Sequence, residues 1–202
     1  MNGKFWFVVL LLIVVLMAGC GKEAGEKPKE VEAGLTKVKL ETSMGDIVLE
    51  LNEDAAPVTV KNFLRYVEEG FYDGTIFHRI RPSNPAMIQG GGFTVDMKRK
   101  VTHEPIINEA SNGLRNERGT IAMARMKIPD SATSQFYINH KDNDYLNYVE
   151  GRKPGYAVFG KVVKGMDVVD AIAAVKTTRK GRFANLPIEP VVIKSAKVVS
   201  RK

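Results

Sequence analysis

The side chains best suited to chemistry fall in one stretch, Phe77–Gly92, FHRIRPSNPAMIQGGG. It sets Arg79 and Gln89 on either side of Met87, with three consecutive glycines at the end. Arginine stays charged at any ordinary pH and carries its donors in a rigid fork. Such a group suits either a structural ion pair or a fixed donor aimed at a reacting atom, and residue type alone leaves both open. His78, next to it, suits a general base or a packed structural position. Gly90-Gly91-Gly92 lacks the GxGxxG spacing of a phosphate loop, so it predicts a tight bend or close backbone packing.

Other chemistries are excluded by spacing. The three histidines, His78, His103 and His140, show no metal-ligand spacing, so no metal is expected. Ser134 and His140 lack the GxSxG elbow of a serine hydrolase. Gly155–Lys161 matches GxxxxGK, but Val162 stands where a Ser or Thr would hold Mg²⁺. The intervening Tyr-Ala-Val-Phe is strand-forming, and so is the run that follows. A single cysteine, Cys20, rules out an intramolecular disulfide.

The 202 residues fit one folded domain plus a leader. Lys4 precedes an apolar run, Phe5–Ala18, too short for the roughly 20 residues of a permanent membrane helix. This layout fits a secretory signal. Leu16-Met17-Ala18-Gly19-Cys20 resembles the lipobox of bacterial lipoproteins, in which the signal is cut before a cysteine that carries lipid. The resemblance implies a signal peptide at 1–19, lipid on Cys20 and export to a bacterial membrane, on its periplasmic or extracytoplasmic face. Residues 20–34 are rich in Lys, Glu, Gly and Ala and predict a flexible tether. Residues 1–34 hold four lysines and four glutamates, so the formal charge of +7 sits on residues 35–202. That balance suits a solvated basic face, and also anionic lipid or acidic clients. No basic run with interleaved aromatics or DNA-binding motif is present, so no nucleic-acid partner is expected.

The elements that must position Arg79 follow from periodicity. Val38 and Leu40, then Ile47, Leu49 and Leu51, alternate with polar residues about a turn at 43–46, which predicts a β-hairpin. Pro57 opens a helix whose Val60, Phe63, Leu64 and Val67 form one stripe, and Gly70 follows its end. Strands are predicted at 119–125, 135–139, 156–163 and 191–199. A second helix is predicted at 165–175, with Val168, Val169 and Ile172 on one side. Short strands and two helices predict a mainly β fold, a closed antiparallel barrel capped by helices.

Several segments together resemble the cyclophilin peptidyl-prolyl isomerases. They are Phe77-His78-Arg79, Met87-Ile88-Gln89-Gly90-Gly91, Gly119-Thr120-Ile121-Ala122-Met123-Ala124 and Ser134-Gln135-Phe136. Asn112-Gly113-Leu114-Arg115-Asn116 and Gly155-Tyr156-Ala157-Val158-Phe159-Gly160 are similar to the bacterial periplasmic branch. The resemblance runs from about Val38 to Val199 and implies an eight-stranded barrel with a helix over each opening. It implies catalysis of X–Pro rotation, whose barrier of roughly 18–20 kcal/mol comes from the partial double bond. No covalent bond breaks, so neither a cofactor nor a base is required and His78 is expected to be structural. What is needed is a donor near the imide nitrogen once its lone pair is freed, an apolar slot for the ring and a grip on the flanking backbone.

By the resemblance, Arg79 is that donor. Met87, Tyr137 and Leu146 line the proline slot, Gln89 binds substrate backbone, and Ala124 and Arg125 lie along the groove. Tyr145 is a groove-wall aromatic, and Tyr156 stands where other branches have histidine. Partners would be proline-containing peptides and unfolded exported proteins, with the enzyme acting as a monomer. The segment between Arg79 and Gln89 is two residues longer than the family pattern. Ala86 replaces a phenylalanine that packs on the substrate ring, and Tyr137 replaces a second. The first two departures predict lowered activity or altered specificity, or in the extreme a chaperone or peptide clamp with little turnover, while the Tyr137 hydroxyl needs a partner if buried. Tyr145 in place of tryptophan predicts weak cyclosporin binding.

Overall fold

The computed structural model describes residues 35–201. The expected signal peptide at 1–19, the lipidated Cys20 and the tether at 20–34 lie outside the described residues. Among the described residues no helix is long and apolar enough to cross a membrane.

The alternating hydrophobics build the first hairpin as expected. β1 (Lys37–Thr42) and β2 (Gly45–Leu51) pair antiparallel across Ser43-Met44. Val38 lies opposite Leu49 and Leu40 opposite Ile47, all fully buried. One face of the hairpin therefore enters the core and the charged face stays out.

Helix α1 (Pro57–Glu68) starts at its proline. Val60, Phe63 and Val67 are buried, but Leu64 is only half-buried and Tyr66 is fully buried beside them. The stripe is turned toward Tyr66 because its hydroxyl has a partner, the amide of His103, at 2.9 Å. The helix ends in a left-handed Gly70 (φ +62). Gly70 N–H donates to the Val67 carbonyl (3.1 Å) and Phe71 N–H to the Tyr66 carbonyl (2.9 Å), while the Tyr66 and Phe71 rings pack 4.6 Å apart. Only glycine adopts this conformation without a Cβ penalty.

No side chain of the helix's own N-terminal residue caps α1. Glu109, fifty residues on, supplies the cap. Its carboxylate accepts from Val58 N–H (3.1 Å), Thr59 N–H (2.8 Å) and the Thr59 hydroxyl (2.7 Å). An anion at this end also complements the helix dipole. Glu109→Ala should lower unfolding stability by about 1–2 kcal/mol, and Glu109→Gln by less, as read by urea denaturation.

The remaining strands are β3 (Thr75–Ile76), β4 (Arg79–Arg81), β5 (Met87–Gly90), β6 (Thr120–Met123), β7 (Phe136–Asn139), β8 (Val158–Lys164), β9 (Thr177–Lys180), β10 (Phe183–Pro187) and β11 (Val192–Ser200). Helix α2 (Met166–Ala173) follows β8 and buries Val169 and Ile172. Nine strands form one sheet in the order β3-β11-β1-β2-β8-β6-β7-β5-β4. Its two end strands are consecutive in the chain, separated only by Phe77 and His78. The sheet therefore curls back on itself, and its seam is spanned by backbone instead of ladder hydrogen bonds. This corrects the expected closed eight-stranded ladder: at the seam the chain passes from β3, beside β11, to β4, beside β5. The curled sheet encloses an aromatic core in which Phe63 of α1 meets Tyr72, Phe136 and Phe159 at centroid distances of 5.2, 5.6 and 5.2 Å.

Candidate active site

Strand register places the site. In the row β4–β5–β7–β6, Ile80, Ile88, Ile138 and Ile121 are opposite one another in turn, and all are fully buried. Side chains alternate faces along a strand, so the neighbouring row points away from that core. That row reads Arg79, Gln89, Tyr137, Ala122, again in direct opposition. Arg81 and Met87 form the next pair on the same face.

This outer row floors a pocket of about 260 Å³. All nine residues expected at a substrate site, Arg79, Met87, Gln89, Ala124, Arg125, Tyr137, Tyr145, Leu146 and Tyr156, line it. Met87 and Tyr137 pack with Ala122 and Val158, and Leu146, Tyr156 and Ala124 lean on that cluster. The pocket therefore has an apolar floor with a cationic edge.

Arg79 is half-buried, and among the described residues no carboxylate pairs with it. Among the described residues, Arg79 has no structural ion pair of the kind the sequence left open. Its Nη1 donates to Gln89 Oε1 at 3.2 Å, and Gln89 Nε2 donates to Gln135 Oε1 at 3.0 Å. Gln89 thus orients the guanidinium, with one donor and one acceptor position still free for a substrate backbone. Burial, and then the charge of Arg81, lower the pKa of Arg79 from its usual value, while Tyr156 and Tyr145 act in the opposite direction. A guanidinium stays protonated through such shifts.

The hydroxyl that Tyr137 brings into the slot is satisfied. It donates to Asn116 Oδ1 at 2.6 Å, which also accepts from Asn139 Nδ2 at 3.3 Å. Asn116 in turn donates through its backbone N–H and Nδ2 to Asn147 Oδ1, at 2.7 and 3.0 Å. Burial pushes the Tyr137 phenol well above its usual pKa, so it remains a neutral donor.

The longer segment before Met87 brings Pro85 to the pocket, while residues 82–84 stay exposed. Ala86 is buried and clamped by Asn143, which accepts from its N–H (2.9 Å) and donates to its carbonyl (3.0 Å). Pro85, joined to Asn84 by a cis peptide, reaches the pocket lining beside Met87. Arg125 forms another wall. Its Nε and Nη2 donate to the Gly155 carbonyl at 2.9 and 2.7 Å, and its guanidinium lies 4.3 Å from the Tyr156 ring centre. A second hollow of about 380 Å³ adjoins through Gln89, Ala124 and Arg125 and extends to Gln135, Arg99 and Glu104. The glycines let these parts meet: at Gly92 a Cβ would stand 2.6 Å from the Gln135 side chain.

His78 points the other way. It is buried against Phe93, with ring centres 4.7 Å apart, and burial drives its pKa down to about 4 from 6.5. Its Nδ1 has no hydrogen-bond partner among the described residues. A histidine held neutral stabilises the fold fully above pH 6.5, and that contribution is lost as pH falls toward 4. Between pH 6.5 and 5, urea unfolding should show a loss of about 1.5 kcal/mol that is absent in His78→Phe.

As site residues, Arg81, Pro85, Asn116, Gln135 and Asn143 were missed. Asn116 and Gln135 did stand within segments that carry the family resemblance, and Pro85 within the segment longer than the family pattern. The trace of Asn143 was the density of Asn at 116, 139, 143 and 147.

Residues 37–198 match the family model for cyclophilin type peptidyl-prolyl cis-trans isomerases. The chain is 57% identical over 166 residues to peptidyl-prolyl cis-trans isomerase A of Dickeya dadantii, covering 82% of this chain and 86% of that protein. It is 55% identical over 165 residues to peptidyl-prolyl cis-trans isomerase B of Escherichia coli, covering 80% and 98%. Among solved structures, a cyclophilin type peptidyl-prolyl cis-trans isomerase of Cryptosporidium parvum superposes with a TM-score of 0.67 at 26% identity, covering 83% of this chain and 99% of that one.

Proposed function

The chain belongs to the cyclophilin-type peptidyl-prolyl cis-trans isomerases, and we propose that it speeds rotation about X–Pro bonds by binding the half-rotated imide against Arg79. The observation that carries this reading is a guanidinium with no carboxylate partner among the described residues, set at the edge of an apolar pocket. A planar imide shares its nitrogen lone pair with the carbonyl and offers little to a donor. As the bond twists, the lone pair is released and becomes an acceptor. A donor already in place then gains a hydrogen bond that neither planar isomer makes, which lowers the barrier selectively.

The other residues serve that step. Met87, Tyr137 and Leu146 hold the ring, Gln89 holds Arg79, and Pro85 closes the slot where the family's aromatic is missing. That substitute wall favours turnover over a peptide clamp. Exchange NMR on an X–Pro peptide with catalytic amounts of the full chain tests this. Faster cis–trans exchange in proportion to protein supports it, and binding without faster exchange supports the clamp.

The clients are, on this reading, exported proteins, and the enzyme is held at a membrane by lipid on Cys20. Two or more acyl chains anchor stably where one is marginal. Metabolic labelling with an alkynyl fatty acid should mark the wild type and not Cys20→Ser. Equal labelling of both would contradict the anchor.

A further inference from the structure

The pocket that holds Arg79 carries a charge pattern that bond rotation does not use. Three guanidinium groups, those of Arg79, Arg81 and Arg125, line it, and no aspartate or glutamate does. None of the three takes part in an ion pair among the described residues. Arg125 is committed to the carbonyls of Gly155 and Met126 and to the face of Tyr156. Arg79 is oriented by Gln89 and is the donor assigned to the imide.

Arg81 is different. One Nη donates to the Asn84 carbonyl, which fixes the fork without neutralising it. Its own carbonyl accepts from His140 Nε2 at 3.1 Å, which pins the backbone as well. It sits two residues along β4 from Arg79, on the same face, roughly 6.5–7 Å away along an extended strand. Its charge works against Arg79 and is, after burial, the main cause of that group's lowered pKa. Two like charges on one face are relieved when an anion enters between or beside them.

We propose that Arg81 forms an anion subsite at the edge of the proline slot, so that the protein acts preferentially on X–Pro segments with an Asp or Glu next to the proline. The proposal rests on the isomerase reading of the pocket. A carboxylate there gains a charge-assisted, potentially bidentate bond to an oriented fork, whereas a lysine meets two cations. Arg81 pairs with Met87 and Arg79 with Gln89. The second hollow opens beside Gln89, so the subsite lies at the opposite end of the slot. The acidic residue is on the side of the proline that faces away from that hollow.

The test compares kcat/KM of the full chain on two peptide series, with Glu, Gln or Lys immediately before and immediately after the proline. In one series Glu should exceed Gln about tenfold at low ionic strength, with Lys below Gln, and the ratio should shrink with added salt. Arg81→Leu should bring the Glu-to-Gln ratio close to one, and Arg81→Lys should keep part of it. A ratio near one for the wild type in both series, or one that is unchanged in Arg81→Leu, overturns the subsite while leaving the isomerase reading intact. No acceleration of any Gln peptide would overturn both.

Discussion

Arg79→Ala should lower kcat/KM for an X–Pro peptide by about 10²- to 10³-fold, the usual loss when one preorganised donor is removed from a reacting centre. The side chain is half-buried, has no ion-pair partner among the described residues and shares its face with Arg81. Removing it takes away a desolvated charge and a like-charge repulsion while breaking only a 3.2 Å hydrogen bond to Gln89. Stability should therefore hold or rise slightly as activity collapses, the pattern of a residue kept for function. Arg79→Lys should recover little, because an ammonium places a point charge where the fork reached both Gln89 and the imide. Exchange rates and urea midpoints measured on the same samples check both halves.

Asn116→Ala should cost about 2–4 kcal/mol of unfolding free energy, with a raised KM in what remains folded. Asn116 is fully buried and holds the Tyr137 hydroxyl at 2.6 Å. Truncation leaves that hydroxyl without an acceptor in the wall of the slot, and an unpaired buried polar group costs about 1–3 kcal/mol. It also removes a donor to Asn147 and an acceptor for Asn139. Tyr137→Phe deletes the group that would be orphaned. The double variant Asn116→Ala/Tyr137→Phe should therefore be more stable than the sum of the single losses implies, by urea denaturation. Strict additivity would mean that the hydroxyl finds another partner and that Asn116 does not hold the slot.

The long amphipathic elements were legible in the sequence because their burial repeats. The hairpin of β1 and β2 and the stripe of α1 stood out for that reason. The strands that build the site are three or four residues long. β6 and β7 lie within the strands predicted at 119–125 and 135–139, whereas RIR and MIQG are too brief for a period to show. Only family resemblance brought Arg79, Met87, Gln89 and Tyr137 to one place, and the register then supplied the physical reason. Arg81 was passed over because its place in the pocket depends on pairing with Met87 across the strand. Pro85 was hidden because a loop's path is not periodic. Glu109 capping α1 and the β9–β10 hairpin, with its run of exposed charged residues, were missed for a related reason: one depends on a contact fifty residues away and the other has little apolar face.

The most direct measurement is of cis and trans peptide affinities alongside the on-enzyme exchange rate, by NMR lineshape on wild type and Arg79→Ala. If the guanidinium binds the twisted imide and little else, exchange on the enzyme falls about 10²-fold or more while both dissociation constants change by less than about threefold. If both affinities weaken as much as the exchange slows, Arg79 binds the flat peptide and the account of catalysis is wrong.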